Sequence, residues 1–137
     1  MAGYSATGLI DKLGLRPGMQ AVVMRAPGDY AEVVAEMAGR TGGAVQGRLG
    51  ADRVDFIQYF ATSEQQLQAV MRNLAAHLVP NGMVWVSWAK RTSPLHTGLD
   101  ENMVRRIGLA AGLVDVKVAA VTEDWSGLKF VYRVVDR

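Results

Sequence analysis

Two short segments carry side chains that could hold a small anion. The first is Lys90-Arg91-Thr92-Ser93 with His96, which offers two positive charges, two hydroxyls and an imidazole. The second is Ser63, which precedes a helical pattern, and the N-terminus of a helix favours negative charge. Together these residues suit a phosphate or a carboxylate. The same residue types also suit an ordinary solvated loop, and that interpretation is the favoured one.

A third segment, Pro27-Gly28-Asp29, follows an apolar stretch and offers one glycine and one carboxylate. Nucleotide-binding sheets usually carry several glycines here, because the backbone must approach the ligand closely. Asp29 could contact a ligand hydroxyl, but an Asp between a turn and an apolar helical stripe is a typical N-cap. We expect Asp29 to cap a helix. Tyr4 and Ser5 are expected to form either a lid over the same crevice or a leader on the sheet edge.

The sequence excludes several kinds of site. It contains no cysteine, so disulfides, thiolate metal sites and cysteine nucleophiles are absent. It also has no His-x-x-x-His pair, no clustered carboxylates and no Gly-x-Ser-x-Gly motif. We therefore predict neither a metal site nor a catalytic residue.

Composition and charge narrow the class of protein. A chain of 137 residues, half of them apolar, is long enough for a single domain, residues 1–137, with its own core. Fifteen cations and thirteen anions are interspersed, whereas nucleic-acid binders usually concentrate cations on one face. The chain starts without a signal-peptide pattern, and no apolar run approaches the ~20 residues of a membrane span. We expect a cytoplasmic protein without a membrane or nucleic-acid partner.

Hydrophobic patterning predicts alternating strands and helices. Thr7 is expected to cap a short helix that stops at Gly14. Thr62 and Ser63, each followed three residues later by Gln, are overlapping capping-box candidates for the helix that follows them. Asp100 is expected to open the last helix. Strands are predicted over 20–26, 44–48 (weakly), 54–61 and 83–88, followed by an antiparallel hairpin of 114–120 with 128–135.

The three tryptophans have two expected roles. Trp85 and Trp88 lie in one predicted strand at positions of opposite parity, so we expect both in the core on opposite faces. Trp125 lies in the hairpin turn, and with Leu128 and Phe130 it is expected to cover a partner surface. This arrangement predicts a homodimer or another protein partner.

The order of elements resembles the later part of a Rossmann-like methyltransferase. The similarity is most local in Leu78-Val79-Pro80-Asn81-Gly82-Met83-Val84, which is similar to the Leu-x-Pro-Gly-Gly-x-Leu run of that superfamily. The segment Gly108-Leu109-Ala110-Ala111-Gly112-Leu113 is similar to its final helix-to-strand junction. The implied fold is α/β: a three-layer, Rossmann-like, mostly parallel sheet, truncated, with a C-terminal antiparallel hairpin.

The same resemblance implies a site for S-adenosylmethionine (SAM), with a Gly-x-Gly loop after the first strand and a carboxylate after the second. Here the two positions read Ala26-Pro27-Gly28 and Val45-Gln46-Gly47-Arg48. We therefore predict no cofactor, with SAM or a nucleotide as the disfavoured alternative. We expect a non-catalytic binding or interaction module that holds a small anionic or nucleotide-like ligand. The alternative is a divergent SAM-dependent methyltransferase. A nucleic-acid accessory role, based on the Lys90-Arg91 pair, is the weakest hypothesis.

A second resemblance covers nearly the whole chain. The most specific segments are Gly112-Leu113-Val114-Asp115-Val116-Lys117-Val118 and Trp125-Ser126-Gly127-Leu128-Lys129-Phe130. They resemble the small bacterial family catalogued as domain of unknown function 3052. This resemblance implies a bacterial cytoplasmic protein and transfers no catalytic residue.

Overall fold

The computed structural model describes residues 6–137, so the expectations for Tyr4 and Ser5 lie outside the described residues. The helices are α1 (Thr7–Leu13), α2 (Ala31–Thr41), α3 (Glu64–Ala76) and α4 (Glu101–Ala110). The strands are β1 (Ala21–Met24), β2 (Val54–Phe60), β3 (Leu78–Ala89), β4 (Leu113–Ala120) and β5 (Trp125–Tyr132). Single 3₁₀ turns occupy Gly28–Tyr30 and Val134–Asp136.

The strands form one sheet in the order β1-β2-β3-β5-β4. β1, β2 and β3 are parallel, while β5 runs antiparallel between β3 and β4. Met24 pairs with Tyr59, and Tyr59 pairs with Val86. The carboxyl ends of the three parallel strands therefore meet at one edge of the sheet. The predicted fold, a mostly parallel α/β sheet closed by an antiparallel hairpin, is confirmed.

Helices cover both faces of the sheet and bury two apolar cores. α1 and α2 pack on the face that carries Trp85, whose indole Nε1 donates a hydrogen bond to the Leu13 carbonyl at 2.9 Å. α3 and α4 pack on the face that carries Trp88. The opposite facing of the two tryptophans, predicted from alternation, is confirmed.

The Pro80-Asn81-Gly82 sequence, which is typical of a turn, forms a bulge instead, because Leu78–Ala89 is one continuous strand. Pairing with β2 passes from Leu78 to Met83, so residues 79–82 bulge out of the strand. Gly82 fits because a Cβ there would lie 3.1 Å from the Asp55 carbonyl oxygen. The pairing of β2 with β3 therefore changes register at this bulge.

Two local predictions are wrong. Ala6 holds the N-cap position of α1 and Thr7 is its first helical residue, although Gly14 ends the helix at φ 84° as expected. The weak strand over 44–48 is reduced to a single parallel bridge between Gln46 and Val22. The segment is flanked by glycines and has few β-branched residues, so little holds it extended.

The expected partner surface on the hairpin is also wrong. Trp125 is 8% exposed, and Leu128 and Phe130 are fully buried. β5 lies inside the sheet and is covered on both faces, and Trp125 packs edge to face on Phe60 with ring centroids 5.0 Å apart. The homodimer therefore stays a prediction without an assigned surface. No helix within residues 6–137 is long and apolar enough to cross a membrane.

Candidate functional site

Three loops meet at the carboxyl edge of the parallel strands. They are the segments after β1 (Arg25 to Tyr30), after β2 (Ala61 to Ser63) and after β3 (Lys90 to His96). All the predicted site residues lie on these loops. Open α/β sheets bind their ligands at this edge, because loops and helix N-termini converge there.

The first loop turns through Arg25, the only non-glycine residue with positive φ (59°) in the described chain. A side chain in this left-handed region costs about 1–2 kcal/mol, so the turn that a glycine would usually make is made here by a strained arginine. Strain of this kind tends to collect at functional sites. Arg25 also lies close enough to Tyr59 to oppose the rise in the pKa of that phenol that burial causes.

Gly28 and Asp29, further along this loop, are open to solvent. Gly28 is exposed, and a Cβ placed on it would meet nothing within 4 Å. Asp29 is exposed within the 3₁₀ turn, and the N-cap position of α2 belongs to Tyr30, which has no side-chain cap. The expectation that Asp29 caps the helix is therefore wrong, because the 3₁₀ turn moves the N-cap position one residue further on, to Tyr30. Its carboxylate forms no recorded hydrogen bond within residues 6–137.

Ser63, on the second loop, is the N-cap of α3. Its hydroxyl accepts a hydrogen bond from the Gln66 amide at 3.1 Å, and the Gln66 side chain accepts one from the Thr62 amide at 2.9 Å. The predicted capping interaction is confirmed, with Gln66 reaching one residue beyond Ser63. The Ser63 hydroxyl is engaged by the helix; its role toward a ligand stays a prediction.

The third loop is fixed to the turn of the β4–β5 hairpin. The Lys90 ammonium donates to the Thr122 carbonyl at 2.7 Å. Ser93 is buried, and its hydroxyl donates to the Asp124 carboxylate at 2.9 Å. These bonds hold the loop in place and engage two of the predicted anion-binding groups.

Arg91 and His96, the other two predicted site residues of this loop, border a cavity of about 450 Å³ together with Lys90. Arg91 is exposed, and the His96 Nδ1 lies 3.3 Å from the Ala89 carbonyl oxygen. A carbonyl only accepts, so this hydrogen bond requires a proton on Nδ1, and Nε2 is the ring nitrogen left to meet a ligand. The cavity is lined by Trp88, Lys90, Arg91, His96, Leu99, Asp100, Glu101, Asn102 and Ser126.

Asp100 forms the far wall of this cavity and caps α4, since its carboxylate accepts from the Met103 amide at 2.8 Å. The predicted start of the last helix is confirmed. The cavity therefore has cations on the loop side and carboxylates on the helix side. A larger hollow of about 520 Å³ lies near the amino end of β1, beside Gly18, Gln20 and Arg48. We assign the site to the carboxyl edge because strand topology directs ligands there.

A buried polar chain under the site was missed from the sequence. The Tyr30 hydroxyl donates to Gln58 Oε1 at 2.9 Å, and Gln58 Nε2 donates to the Ser87 hydroxyl at 3.2 Å. All three residues are almost fully buried, and burial raises the pKa of Tyr30 well above its usual value. The signal was present: Gln58 and Ser87 are polar residues inside otherwise apolar strands.

The described residues hold no group of three or more His, Asp or Glu side chains that could bind a metal ion. No protein-family model matches the chain, and no curated protein matches it. The resemblance to domain of unknown function 3052 therefore stays a prediction.

Solved structures do match, and the three described next are methyltransferases. The CcbJ methyltransferase of Streptomyces caelestis has a TM-score of 0.64 at 10% identity, covering 93% of this chain and 88% of that one. A SAM-dependent methyltransferase of Aquifex aeolicus has a TM-score of 0.63 at 15% sequence identity, and the match covers 93% of this chain and 89% of that one. The magnesium protoporphyrin IX methyltransferase ChlM of Synechocystis was solved with bound S-adenosylhomocysteine (SAH). It has a TM-score of 0.64 at 12% sequence identity, and the match covers 93% of this chain and 80% of that one. At these identities the likeness shows the fold, which is the Rossmann-like methyltransferase fold.

This comparison corrects the expectation that no cofactor is bound. The fold is that of SAM-dependent enzymes, and ChlM has been solved with SAM as well as with SAH. The expectation rested on the missing glycines after the first strand. It was wrong because glycine is not the sole means of making that turn: Arg25 adopts the left-handed conformation itself.

Proposed function

We propose that this protein is a divergent SAM-dependent methyltransferase that binds the cofactor against the loop after β1. The observation that carries the proposal is the fold, shared over 93% of the chain with SAM-dependent enzymes. The strand order brings the Arg25–Tyr30 loop to the edge where this fold takes its ligands.

The residues of the loop suit an adenosyl ligand. The space above Gly28 is open, so a ligand can approach the backbone there. Within residues 6–137 no backbone carbonyl outside the 3₁₀ turn accepts from the Gly28 or Asp29 amides, which leaves both as donors. The Asp29 carboxylate is exposed and is an acceptor for ribose hydroxyls. It takes the place of the acid that is missing near Gln46.

The bound cofactor would supply an electrophilic methyl group, and the chain must then hold a nucleophilic acceptor. The cavity beside β3 suits this task because it lies on the same edge and is lined by Arg91 and His96. Arg91 can pair with an anionic group of the acceptor. His96 can accept the acceptor's proton at Nε2, since its Nδ1 proton is directed to the Ala89 carbonyl.

A non-catalytic binding module is the second candidate. It is favoured by one observation: the Lys90 ammonium and the Ser93 hydroxyl are bonded to the hairpin turn. Because Lys90 and Ser93 hold the loop in place, only Arg91 and His96 of the predicted loop residues are left to take part in a reaction.

Isothermal titration with SAH tests the proposal. We expect Asp29→Ala to weaken SAH binding by about tenfold or more, the effect of losing one charged hydrogen bond. Asp52→Ala is the matched control, because Asp52 lies beside the hollow near the amino end of β1. The proposal is wrong if SAH does not bind the wild-type protein, or if both variants bind it like the wild type. Methyl transfer abolished by His96→Ala, with SAH binding unchanged, separates the enzyme from the binding module.

A further inference from the structure

Four cations from three separate segments of the chain meet at the C-terminal end of α1. The Lys117 ammonium donates to the Lys12 carbonyl at 3.3 Å, and the Lys12 ammonium donates to the Ala120 carbonyl at 3.4 Å. The Lys129 ammonium lies 4.0 Å from the position a Cβ would take on Gly14. Arg16 is close enough to act on Lys129 electrostatically. We call Lys12, Arg16, Lys117 and Lys129 the basic cluster.

No carboxylate neutralises the basic cluster. Within residues 6–137 none of the four takes part in a salt bridge, and residues 1–5 contain no acid. The nearest acid along α1, Asp11, is paired with Arg40 at 2.7 Å. The C-terminus of a helix carries about half a negative charge, which cannot balance four cations. The cluster therefore holds a large excess of positive charge.

One member of the cluster is also partly buried. Lys129 is half-buried on the sheet face that α1 flanks, where Lys117 is exposed and Val131 is half-buried. Its pKa is lowered, first by burial and then by the charges of Lys117 and Arg16. A cation that is desolvated beside other cations destabilises the fold unless an anion compensates it. This energetic cost makes the cluster unlike an ordinary solvated surface.

We infer that the basic cluster binds an anionic phosphoryl group on the open face of β4 and β5. Three ammonium groups and one guanidinium suit the charge and the several acceptor oxygens of a phosphoryl group. The phosphoryl group can belong to a small phosphate ester or to a nucleic-acid backbone, which share this chemistry. The site is separate from the carboxyl edge of the sheet, because Lys129 pairs with Trp85 in the middle of β3.

The test measures thermal unfolding in sodium phosphate or pyrophosphate against sodium chloride at equal ionic strength. Wild-type protein should gain roughly 5 °C or more at saturating pyrophosphate, because only the folded state holds the cluster together. Lys117→Met and Lys129→Met should lose most of this gain. Arg48→Met, which removes an exposed cation near the amino end of β1, should keep it.

A second readout guards against a variant that simply unfolds. In chloride alone, Lys129→Met should melt at or above the wild-type temperature, since it removes an uncompensated cation. Binding of labelled single-stranded RNA, weakened by the same two variants and by salt, would assign the phosphoryl group to a nucleic acid. The inference is overturned if neither phosphate, pyrophosphate nor RNA binds the wild type, or if the cluster variants and Arg48→Met respond alike.

Discussion

The Tyr30 hydroxyl donates a hydrogen bond to Gln58 Oε1 at 2.9 Å, joining the start of α2 to the middle of β2 beneath the proposed cofactor loop. Gln58 in turn donates to the Ser87 hydroxyl on β3. One buried chain of hydrogen bonds therefore connects the first loop, at Tyr30, with β2 and β3. It fixes the position at which the Arg25–Tyr30 loop ends.

Removing the Tyr30 hydroxyl should destabilise the protein. Tyr30→Phe leaves a buried amide oxygen of Gln58 without its donor, which costs about 1–3 kcal/mol in the free energy of unfolding. Tyr59→Phe is the matched control, because the Tyr59 hydroxyl forms no hydrogen bond within residues 6–137. Every buried side-chain oxygen in that part of the chain has a partner, so the Tyr59 hydroxyl must reach solvent. Urea unfolding of both variants checks this. Equal losses would show that the Tyr30–Gln58 bond contributes nothing specific.

Replacing Arg25 by glycine should stabilise the protein. Arg25 has φ 59°, and relief of this strain outweighs the extra chain entropy of glycine, for a net gain of about 1 kcal/mol. Arg48→Gly removes another exposed arginine where φ is not positive, so only the entropic loss of stability is expected. Chemical denaturation compares the two variants. If Arg25→Gly is as destabilising as Arg48→Gly, the strain at the first loop is not real.

Gly108 packs directly against the ring of Phe130. Three ring atoms would lie within 2.6 Å or less of a Cβ at position 108, far inside contact distance. Gly108→Ala should therefore cost about 1–3 kcal/mol through overpacking, although alanine is the better helix former. Gly8→Ala in α1 meets nothing within 4 Å and should gain roughly 0.5–1 kcal/mol. Melting temperatures that move in the same direction for both variants would contradict this packing.

Acid should weaken the contact between α4 and β4. Arg105 donates to Asp115 at 2.8 Å, and this bond holds the pKa of Asp115 below its usual value of 3.8. A carboxyl group with a lowered folded-state pKa stabilises the fold above its unfolded-state pKa. It loses that contribution as the pH falls through the folded-state value. The unfolding free energy of Asp115→Asn should thus depend less on pH than that of the wild type below about pH 4. If the unfolding free energies of wild type and Asp115→Asn changed with pH in the same way, the Arg105–Asp115 pair would add no stability.

The sequence predicted the fold well because its signals are local. Capping at Ser63 and Asp100, the stop at Gly14 and the alternation around Trp85 each depend on a few neighbouring residues, and each is confirmed. The caps expected at Thr7 and Asp29 failed by one residue each, whereas the failure at Trp125 involves distant contacts. Trp125 looked exposed because the hairpin was taken as an edge, whereas β5 lies between β3 and β4.

The candidate site was less predictable for the same reason. The three loops were located correctly at strand ends, but the partners of Ser93 and Lys90 lie about thirty residues away in the hairpin turn. The basic cluster joins residues of α1 with β4 and β5, so the cations that look interspersed in the sequence are grouped in space. The cofactor expectation failed because a strained arginine leaves no motif in the sequence.

A crystal structure of the protein grown with SAH tests the central claim most directly. The account predicts density for the adenosyl group at the carboxyl edge, against the backbone of Gly28 with the ribose near the Asp29 carboxylate. Density in the hollow beside Gly18 and Arg48, or none at an SAH concentration far above that which saturates methyltransferases of this fold, would contradict it.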